Sequence, residues 1–352
     1  MNQYSVYLAD IHGSDVEIER KVLQDIATLS HGKRTDDDKE DVERVLNNAQ
    51  NVDALGVRHT RVNRAIIQNL KHCRIIARFG GGYDNIDIAA ATENGIIVTF
   101  VPDYCTDAVA EHALMFTLMG LRSYPKYLQR LADGYWSAQG LSPEMAKDTT
   151  LGIIGLGRIG GALSRKATSV GFNIIAYDPF IPDEKFRNDG AIKKTNLNDI
   201  LASADIISIN APLTRSAQSE YPTYRLLGAN EFNTMKNGAY IVNVSRMEII
   251  DSQALFEALN SGKIGGLATD VIEGEPRQNT YLESGQYPLF DKLWQHPDIT
   301  ITPHSAFASS RSINDVKLKG ANEIKRVLNG QFPREIAWIN PEVKERYLQR
   351  FA

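Results

Sequence analysis

The chain has 352 residues, 43% hydrophobic and 23% charged, and its 39 basic and 43 acidic residues give a net charge of −4. This composition is typical of a globular protein with room for two domains, and it excludes the strong positive charge that nucleic-acid binding requires. The sequence has no apolar run long enough to span a membrane and no charged-then-apolar leader, so we expect a cytoplasmic protein without membrane contacts. Cys73 and Cys105 are too few for a disulfide scaffold or a metal site, so we expect reduced thiols and assign no metal.

The first hundred residues alternate short strands with helical segments, which is the pattern of a small parallel α/β domain. Strands are predicted at 5–9, 54–57, 74–78 and 96–100, and one polar amphipathic helix is predicted between the first two. The charged run at 33–41 is interpreted as a solvated loop and helix start rather than an interaction tail.

A strongly apolar helix is predicted at 107–121, with most of its sides buried and a position suited to bridging two domains. From Leu151 the alternation resumes, with a first strand there and five more at 173–178, 205–210, 239–244, 266–270 and 299–302. Six strands with helical crossovers favour a doubly wound dinucleotide-binding domain. A long helix predicted at 314–328 could return the chain to the first domain, which would then be discontinuous.

The segment 151–160 reads Leu-Gly-Ile-Ile-Gly-Leu-Gly-Arg-Ile-Gly, the spacing of a dinucleotide-binding turn between a strand and a helix. Gly155 permits the tight turn, Gly157 lets backbone approach a pyrophosphate, and Gly160 lets the helix pack on its strand. The helix N-terminus offers N–H groups to the phosphates. Asp178 ends the next predicted strand, where it would accept hydrogen bonds from the adenine-ribose hydroxyls and repel a 2′-phosphate. This favours NAD over NADP.

Other polar residues follow the later strands, and ligands of open α/β sheets bind beyond the carboxyl ends of strands. Arg246 follows the fourth strand, and its planar fork of donors can bind a carboxylate and polarise a carbonyl. His304 follows the sixth strand and can move a proton near neutral pH, while Glu275 could hold the imidazole in its charged form. Taken singly, Arg246 could form a surface ion pair, His304 could cap a strand and Glu275 could be an ordinary loop carboxylate. Together, beside a dinucleotide turn, they favour catalysis.

Five motifs in this order resemble those of the D-isomer-specific 2-hydroxyacid dehydrogenases, which include phosphoglycerate dehydrogenase, hydroxypyruvate and glyoxylate reductases and D-lactate dehydrogenase. The resemblance covers about residues 54–332, with a substrate loop at 77–87, an interdomain helix at 106–112, and arginine, glutamate and histidine motifs at 243–246, 270–276 and 302–306. It implies an α/β fold with two parallel-sheet domains. A flavodoxin-like substrate domain would comprise 1–105 plus 308–352, and a Rossmann NAD-binding domain 106–307.

The resemblance also implies roles for individual residues. His304 with Glu275 would be the acid/base pair, and Arg246 would anchor the carboxylate and carbonyl of a 2-keto acid. Backbone N–H groups at Gly81 and Gly82 would bind that carboxylate together with Arg246, although these glycines could also form an ordinary tight turn. The residues implied to bind NAD are Thr106, Gly155, Gly157, Arg158, Ile159, Gly160, Asp178, Ala211, Ser245 and Asp270. We therefore expect an NAD-dependent enzyme for a small D-2-hydroxy acid or 2-keto acid, acting as a homodimer.

The sequence departs from the family in three places. Met247 stands where the family usually has glycine, and it could narrow the pocket or pack nearby. The segments 216–224 and 277–286 are longer than usual, and they could set specificity or be tolerated insertions. Apolar pocket walls, which mildly disfavour a second phosphate or carboxylate on the substrate, are suggested by Phe79, Tyr83, Tyr104 and Met247.

Two other functions are compatible with the fold. The first is an NAD-sensing corepressor or scaffold of the C-terminal-binding-protein type, which the presence of Arg246, Glu275 and His304 disfavours. The second is oxidation of a non-carbon anion such as phosphite, which no feature of the sequence selects.

Overall fold

The computed structural model describes residues 4–10, 15–35, 37–141, 143–216, 219–275 and 288–351. The chain divides into two compact units. Unit 1 comprises Met1–Cys105 and Ala308–Ala352, and unit 2 comprises Thr106–Phe307. Unit 1 is therefore built from both ends of the chain.

The N-terminal part of unit 1 alternates strands and helices. Its elements are β1 (Tyr4–Leu8), α1 (Glu17–Leu23), β2 (Ala27–His31), α2 (Asp38–Asn48), β3 (Ala54–Val57), α3 (Arg64–Asn69), β4 (Ile75–Arg78), α4 (Ile88–Glu93) and β5 (Ile97–Thr99). Across the described part of this unit, the strands pair in parallel as a five-stranded sheet in the order β2-β1-β3-β4-β5. This is the flavodoxin-like order.

Side-chain caps fix where helices of this unit begin. Asn63 Oδ1 accepts a hydrogen bond from the Ile66 N–H at 3.0 Å at the start of α3. Asp37 Oδ1 accepts one from the Lys39 N–H at 2.6 Å at the start of α2. Such caps satisfy N–H groups that have no partner inside the helix. The charged run at 33–41 thus leads into a helix start, as predicted.

Unit 2 is the larger α/β unit. Its elements are α5 (Thr106–Leu121), α6 (Tyr124–Ala132), β6 (Thr150–Ile154), α7 (Arg158–Val170), β7 (Asn173–Tyr177), α8 (Asp183–Asn188), β8 (Ile192–Lys193), α9 (Leu197–Ser203), β9 (Ile206–Ile209), α10 (Ala229–Thr234), β10 (Ala239–Asn243), α11 (Ser252–Asn260), β11 (Ile264–Thr269), α12 (Pro288–Gln295) and β12 (Ile299–Ile301). Its described strands form a parallel seven-stranded sheet in the order β12-β11-β10-β9-β6-β7-β8. This is the Rossmann order with β12 added beside β11. The apolar helix predicted at 107–121 is confirmed as α5.

The C-terminal part of unit 1 consists mainly of α13 (Ser310–Leu328) and α14 (Lys344–Phe351). α13 packs on α1, β3 and β4. It approaches closely because Gly320 leaves room for the Phe79 ring, to which a Cβ there would come within 2.7 Å. The helix predicted at 314–328 is confirmed, and it begins four residues earlier, where Ser309 caps it. Nowhere in the described ranges does a helix combine the length and hydropathy needed to cross a bilayer.

Both sheets bury their two faces. Neighbouring residues along a strand pack in different apolar clusters, as Ile153 and Ile154 do in unit 2 and Val6 and Tyr7 do in unit 1. Because side chains alternate across a strand, apolar material must cover each sheet on both sides. The predicted α/β fold with two parallel sheets is confirmed.

Two edge strands were not predicted. The segment between the first two predicted strands holds α1, β2 and α2 rather than one helix, and the unit 2 sheet gains β8. Ala27 is the buried residue of β2, and Ile192 in β8 is 67% exposed. An edge strand that buries so little has no apolar run, so the sequence pattern carries no signal for it.

Both cysteines are free thiols. Burial raises the pKa of Cys73 to about 12 and that of Cys105 to about 11. Near neutral pH the two thiols are therefore held in the protonated, unreactive form, as structural residues are.

Candidate functional site

The glycine loop of unit 2 connects the end of β6 to the start of α7. Gly155 has φ of +87°, and a Cβ there would lie 2.6 Å from the backbone nitrogen of Ala211. A Cβ on Gly160 would overlap the carbonyl oxygen of Gly155. On Gly157, by contrast, a Cβ would meet no heavy atom within 4 Å. Packing therefore explains Gly155 and Gly160, whereas Gly157 is free of packing demands, as its predicted position against a phosphate requires.

Asp178 directly follows β7, and its carboxylate holds the glycine loop. Oδ2 accepts a hydrogen bond from the Leu156 N–H at 2.9 Å, and Oδ1 accepts one from the Phe180 N–H at 3.0 Å. The two segments meet because β7 pairs with β6. Each carboxylate oxygen can accept a second hydrogen bond, so the group retains capacity for ribose hydroxyls.

Asn210 lies on the other side of the glycine loop, after β9, which also pairs with β6. Its Nδ2 donates to Ser208 Oγ at 3.0 Å, while its buried Oδ1 has no hydrogen-bond partner within the described residues. A buried acceptor without a donor is costly, and a donor on a bound ligand would satisfy it. Asn210 is not among the cofactor residues predicted from the sequence. The loop, Asp178 and Asn210 together fit a dinucleotide.

The remaining predicted cofactor residues lie on the same unit. The Ser245 hydroxyl, after β10, donates to the carbonyl of Ala211, which ties the loops after β9 and β10 together. Arg158 and Ile159 open α7, and Thr106 opens α5. Direct contacts of these residues with NAD stay predictions.

His304 and Glu275 pair through their side chains in unit 2. His304 Nδ1 lies 2.7 Å from Glu275 Oε2, with side chains 37% and 32% exposed. The His304 backbone has φ of +48°, in the left-handed region that non-glycine residues rarely adopt. Its N–H donates to the carbonyls of Asp270 at 2.8 Å and Thr302 at 3.0 Å. Contacts of the side chain and of the backbone thus both hold the imidazole in place. A left-handed backbone at a non-glycine residue is strained, and such strain concentrates at functional sites.

Asp270 organises the loop that carries His304. The carboxylate is almost fully buried. Oδ1 accepts hydrogen bonds from Thr302 Oγ1 at 2.5 Å and from the Ser305 N–H at 2.8 Å, and Oδ2 accepts one from the Ala306 N–H at 2.8 Å. Hydrogen bonds to a charged acceptor are the stronger kind. Asp270 therefore holds the residues on both sides of His304, while its predicted contact with NAD stays a prediction.

His112 belongs to this cluster, although the sequence gave it no role beyond its place in the 106–112 motif. Its Nε2 lies 2.9 Å from Thr302 Oγ1 and 3.9 Å from Asp270 Oδ1. Because the Thr302 hydroxyl donates to Asp270, it accepts from the Nε2–H of His112. Burial lowers the pKa of His112, and the opposing effect of the Asp270 charge does not reverse this. The folded protein therefore favours the neutral imidazole.

Arg246 lies beyond the end of β10. Its Nη1 donates to the Ser245 carbonyl at 2.9 Å, and its own carbonyl accepts from Asn243 Nδ2 at 3.0 Å. Strands β10, β11 and β12 are neighbours in the sheet, so the loops bearing Arg246, Asp270 and His304 leave the same edge. The fold thus gathers the predicted polar residues at one edge.

The apolar residues suggested as pocket walls have different surroundings. Met247 is fully buried in an apolar core of unit 2, so of the two alternatives for this departure the structure supports packing. Phe79 packs in a core of unit 1. Tyr83 is 41% exposed and meets the Phe100 ring edge-on at 5.3 Å. Tyr104 is partly buried, which raises the pKa of its hydroxyl.

The predicted substrate loop lies in unit 1 after β4. A Cβ on Gly80 would overlap the guanidinium of Arg78, the mobile end of a flexible side chain, so packing does not by itself require glycine there. Gly81 is exposed, and its Cβ would come no nearer than 3.8 Å to Tyr104. Neither Gly81 nor Gly82 is among the glycines with positive φ. A left-handed turn therefore does not account for them, and their contact with a carboxylate stays a prediction. The extended segment 277–286 lies outside the described residues.

Comparison with known proteins agrees with this arrangement. Residues 114–306 match the family described as D-isomer specific 2-hydroxyacid dehydrogenase, NAD binding domain. A D-3-phosphoglycerate dehydrogenase of Methanocaldococcus jannaschii is 35% identical over 295 residues, which cover 84% of this chain and 53% of that protein. The chain spans about half the length of the curated relatives it matches.

Solved structures share the fold. A glyoxylate reductase from Paecilomyes thermophila superimposes with a TM-score of 0.80 at 27% identity, covering 97% of this chain and 99% of that one. A D-lactate dehydrogenase from Aquifex aeolicus, solved with NAD and lactic acid, gives a TM-score of 0.79 at 21% identity over 99% of this chain and 97% of that one. The second likeness concerns the fold alone.

Proposed function

This chain belongs to the D-isomer specific 2-hydroxyacid dehydrogenase family, and on that premise we propose that it transfers a hydride between NAD(H) and a D-2-hydroxy acid/2-keto acid pair. The observation that carries the proposal is the 2.7 Å pair of His304 and Glu275. This pair lies in loops at the carboxyl ends of the unit 2 strands, and the glycine loop follows a strand of the same sheet. A proton-transfer pair and a dinucleotide turn on one edge are what such a reaction needs.

The cofactor supplies the hydride donor or acceptor when it is bound. The residues that would hold it are the glycine loop with the N-terminus of α7 for the phosphates and Asp178 for the adenine ribose. Because Asp178 is a carboxylate, it would repel the 2′-phosphate of NADP. NAD is therefore the proposed cofactor.

His304 is the proposed proton carrier. Because its Nδ1 faces Glu275, its Nε2 is the ring atom left to meet the substrate oxygen. During reduction, Nε2 gives its proton to the carbonyl oxygen as that oxygen gains negative charge. During oxidation, the same atom takes the hydroxyl proton. The Glu275 carboxylate stabilises the imidazolium in either direction.

Arg246 is the proposed anchor for the substrate. Its guanidinium can donate two hydrogen bonds to a carboxylate and place further positive charge near the reacting carbonyl. Hydride transfer to the carbonyl carbon leaves negative charge on its oxygen, and fixed cationic donors stabilise that charge. Arg246 and His304 would thus share the developing charge.

The test is turnover of a panel of 2-keto acids by the purified protein, followed by NADH absorbance. The panel contains glyoxylate, hydroxypyruvate and pyruvate for reduction, and 3-phosphoglycerate with NAD for oxidation, since relatives carry glyoxylate reductase and D-3-phosphoglycerate dehydrogenase names. We expect turnover of at least one member, with NADH preferred over NADPH. Binding of NADH without turnover of any substrate in a widened panel would contradict the proposal. Within the described residues, nothing favours the corepressor alternative.

We also propose a homodimer that forms through α6. None of this helix is buried, and Tyr124, Leu128 and Leu131 on one stripe are each about half exposed. Trp136, just beyond it, is 93% exposed. An apolar stripe of this kind is typical of an interface. Light scattering should give twice the chain mass, and Leu128→Glu should shift the protein toward monomer.

Location in the cytoplasm stays a prediction.

A further inference from the structure

Two loops of unit 2 meet beside the glycine loop. The first, residues 178–180, follows β7, and the second follows β9 and is described at residues 212–216 and 219–226 (the 212–226 loop below). β7 and β9 pair with β6 on opposite sides, so these loops flank the glycine loop that follows β6. They touch through the rings of Phe180 and Tyr221, whose centroids lie 5.5 Å apart at 87°. The contact links the segment bearing Asp178 to the loop that contains Tyr221.

The 212–226 loop is braced by its own hydrogen bonds. Thr223 Oγ1 donates to the Pro212 carbonyl at 2.6 Å and accepts from the Thr214 N–H at 2.8 Å. The Thr214 carbonyl accepts from the backbone N–H groups of Thr223 and Tyr224, each at 3.0 Å. The Arg215 guanidinium lies 4.1 Å from the Tyr224 ring centroid. Hydrogen bonds thus join the two ends of the loop at its base, close in sequence to Tyr221.

Packing does not require Tyr221 and Phe180 to be aromatic. Tyr221 is 44% exposed and Phe180 is 67% exposed. The two rings meet edge to face, which leaves ring surface in water. Phe180 lies two residues after Asp178 and donates its N–H to that carboxylate. The Tyr221 hydroxyl also acts electrostatically on Tyr177, which precedes Asp178 and whose pKa is raised mainly by burial.

The chemistry of this surface fits an aromatic base. A ribose whose hydroxyls bond to Asp178 carries its base one glycosidic bond away, at the level of the neighbouring rings. Exposed aromatic rings stack on such bases, and each stack contributes roughly 1–3 kcal/mol in alanine substitutions. An adenine of NAD would therefore find the Phe180–Tyr221 pair beside its sugar.

We propose that Tyr221, with Phe180, forms an aromatic platform for the adenine of NAD, and that the 212–226 loop thereby sets the affinity of the protein for the dinucleotide. The proposal rests on the proposed cofactor but not on the proposed 2-keto acid. Tyr221 is a binding residue for the adenine half, and it plays no part in the proton or hydride transfer. Removing its ring should weaken binding of the adenosine half and leave the nicotinamide half unaffected.

The test measures binding by calorimetry on the full chain with three probes: NADH, ADP-ribose and reduced nicotinamide mononucleotide. We expect Tyr221→Ala to raise Kd for NADH and for ADP-ribose by about fivefold to tenfold. Kd for the mononucleotide should not change. Tyr221→Phe keeps the ring and should bind all three probes within about twofold of the unchanged protein. Tyr135→Ala, which removes another exposed ring of unit 2, is the matched control and should have no effect.

Phe180→Ala tests the same platform from the other loop and should also weaken ADP-ribose binding. The unfolding temperature of each variant shows that it is folded. Unchanged ADP-ribose binding in both alanine variants would overturn the proposal, and so would equal weakening of ADP-ribose and the mononucleotide. If ADP-ribose binds as expected but no 2-keto acid is reduced, the platform stands and the proposed reaction fails.

Discussion

The His304 imidazole meets the Glu275 carboxylate at 2.7 Å although 29 residues separate them. If this pair carries the proton, His304→Ala should lower kcat by at least about a hundredfold, because a general acid is lost. Glu275→Gln keeps the shape of the side chain but removes the charge that stabilises the imidazolium, so it should lower kcat by roughly tenfold to a hundredfold. Steady-state NADH oxidation measures both.

Binding provides the control for that experiment. Neither substitution touches the glycine loop, so Kd for NADH should stay within about twofold in both variants. A His304→Ala protein that keeps its kcat would exclude His304 as the proton carrier.

Asp270 should be essential for the shape of the histidine loop. Asp270→Asn places an amide where Oδ1 and Oδ2 now accept hydrogen bonds from Thr302, Ser305 and Ala306. At least one donor then faces another donor, and the expected loss is about 2–3 kcal/mol of unfolding free energy. Urea unfolding measures this loss. Stability equal to that of the unchanged protein would mean that the network does not hold the loop.

His112 should make the stability depend on pH. Its pKa is lowered in the folded protein, so the folded state favours the neutral form. The stabilisation is fully present above the unfolded-state pKa of about 6.5, and it is lost as the pH falls through the folded-state pKa. The slope from this one group cannot exceed about 1.4 kcal/mol per pH unit.

His112→Gln keeps an N–H donor for Thr302 but does not titrate. Urea unfolding at pH 7.5 and pH 5.5 should therefore show a smaller loss on acidification in this variant than in the unchanged protein. Equal losses in the two proteins would exclude His112 as the source.

Asp178 should decide between the two dinucleotides. Asp178→Asn removes the negative charge and keeps an acceptor for only one of the N–H groups of Leu156 and Phe180, which bond to different carboxylate oxygens. Binding of NADH should weaken about tenfold, since a hydrogen bond to a charged group contributes more than a neutral one. NADPH should lose less or gain, because the repulsion is gone. A preference of the unchanged protein for NADPH would contradict this role.

Arg246 should not tolerate replacement by lysine. Lysine keeps the positive charge but cannot present the planar pair of donors that a carboxylate accepts. Arg246→Lys should lower kcat/KM for the keto acid by roughly tenfold to a hundredfold while leaving Kd for NADH unchanged. Activity within twofold of the unchanged protein would show that the fork is not used.

The sequence by itself determined the fold class and most of the unit 2 strands. Those strands are buried on both faces, so each appears as an apolar run whatever its neighbours are. The glycine turn was also readable, because the conformations of Gly155 and Gly160 follow from contacts within a few residues or to the adjacent strand. β2 and β8 were not predicted, because edge strands bury too few side chains to produce an apolar pattern in the sequence.

Only the tertiary structure decided how the polar residues work together. Thr302 contacts His112 across 190 residues and Asp270 across 32, and no local spacing encodes such pairs. The left-handed backbone of His304 is likewise imposed by surrounding hydrogen bonds rather than by residue type. Secondary structure follows from short-range periodicity, whereas a hydrogen-bond network depends on which loops the sheet order brings together. The sequence therefore predicts a dinucleotide-binding fold, whereas the residues of the proposed reaction come together only when the chain folds.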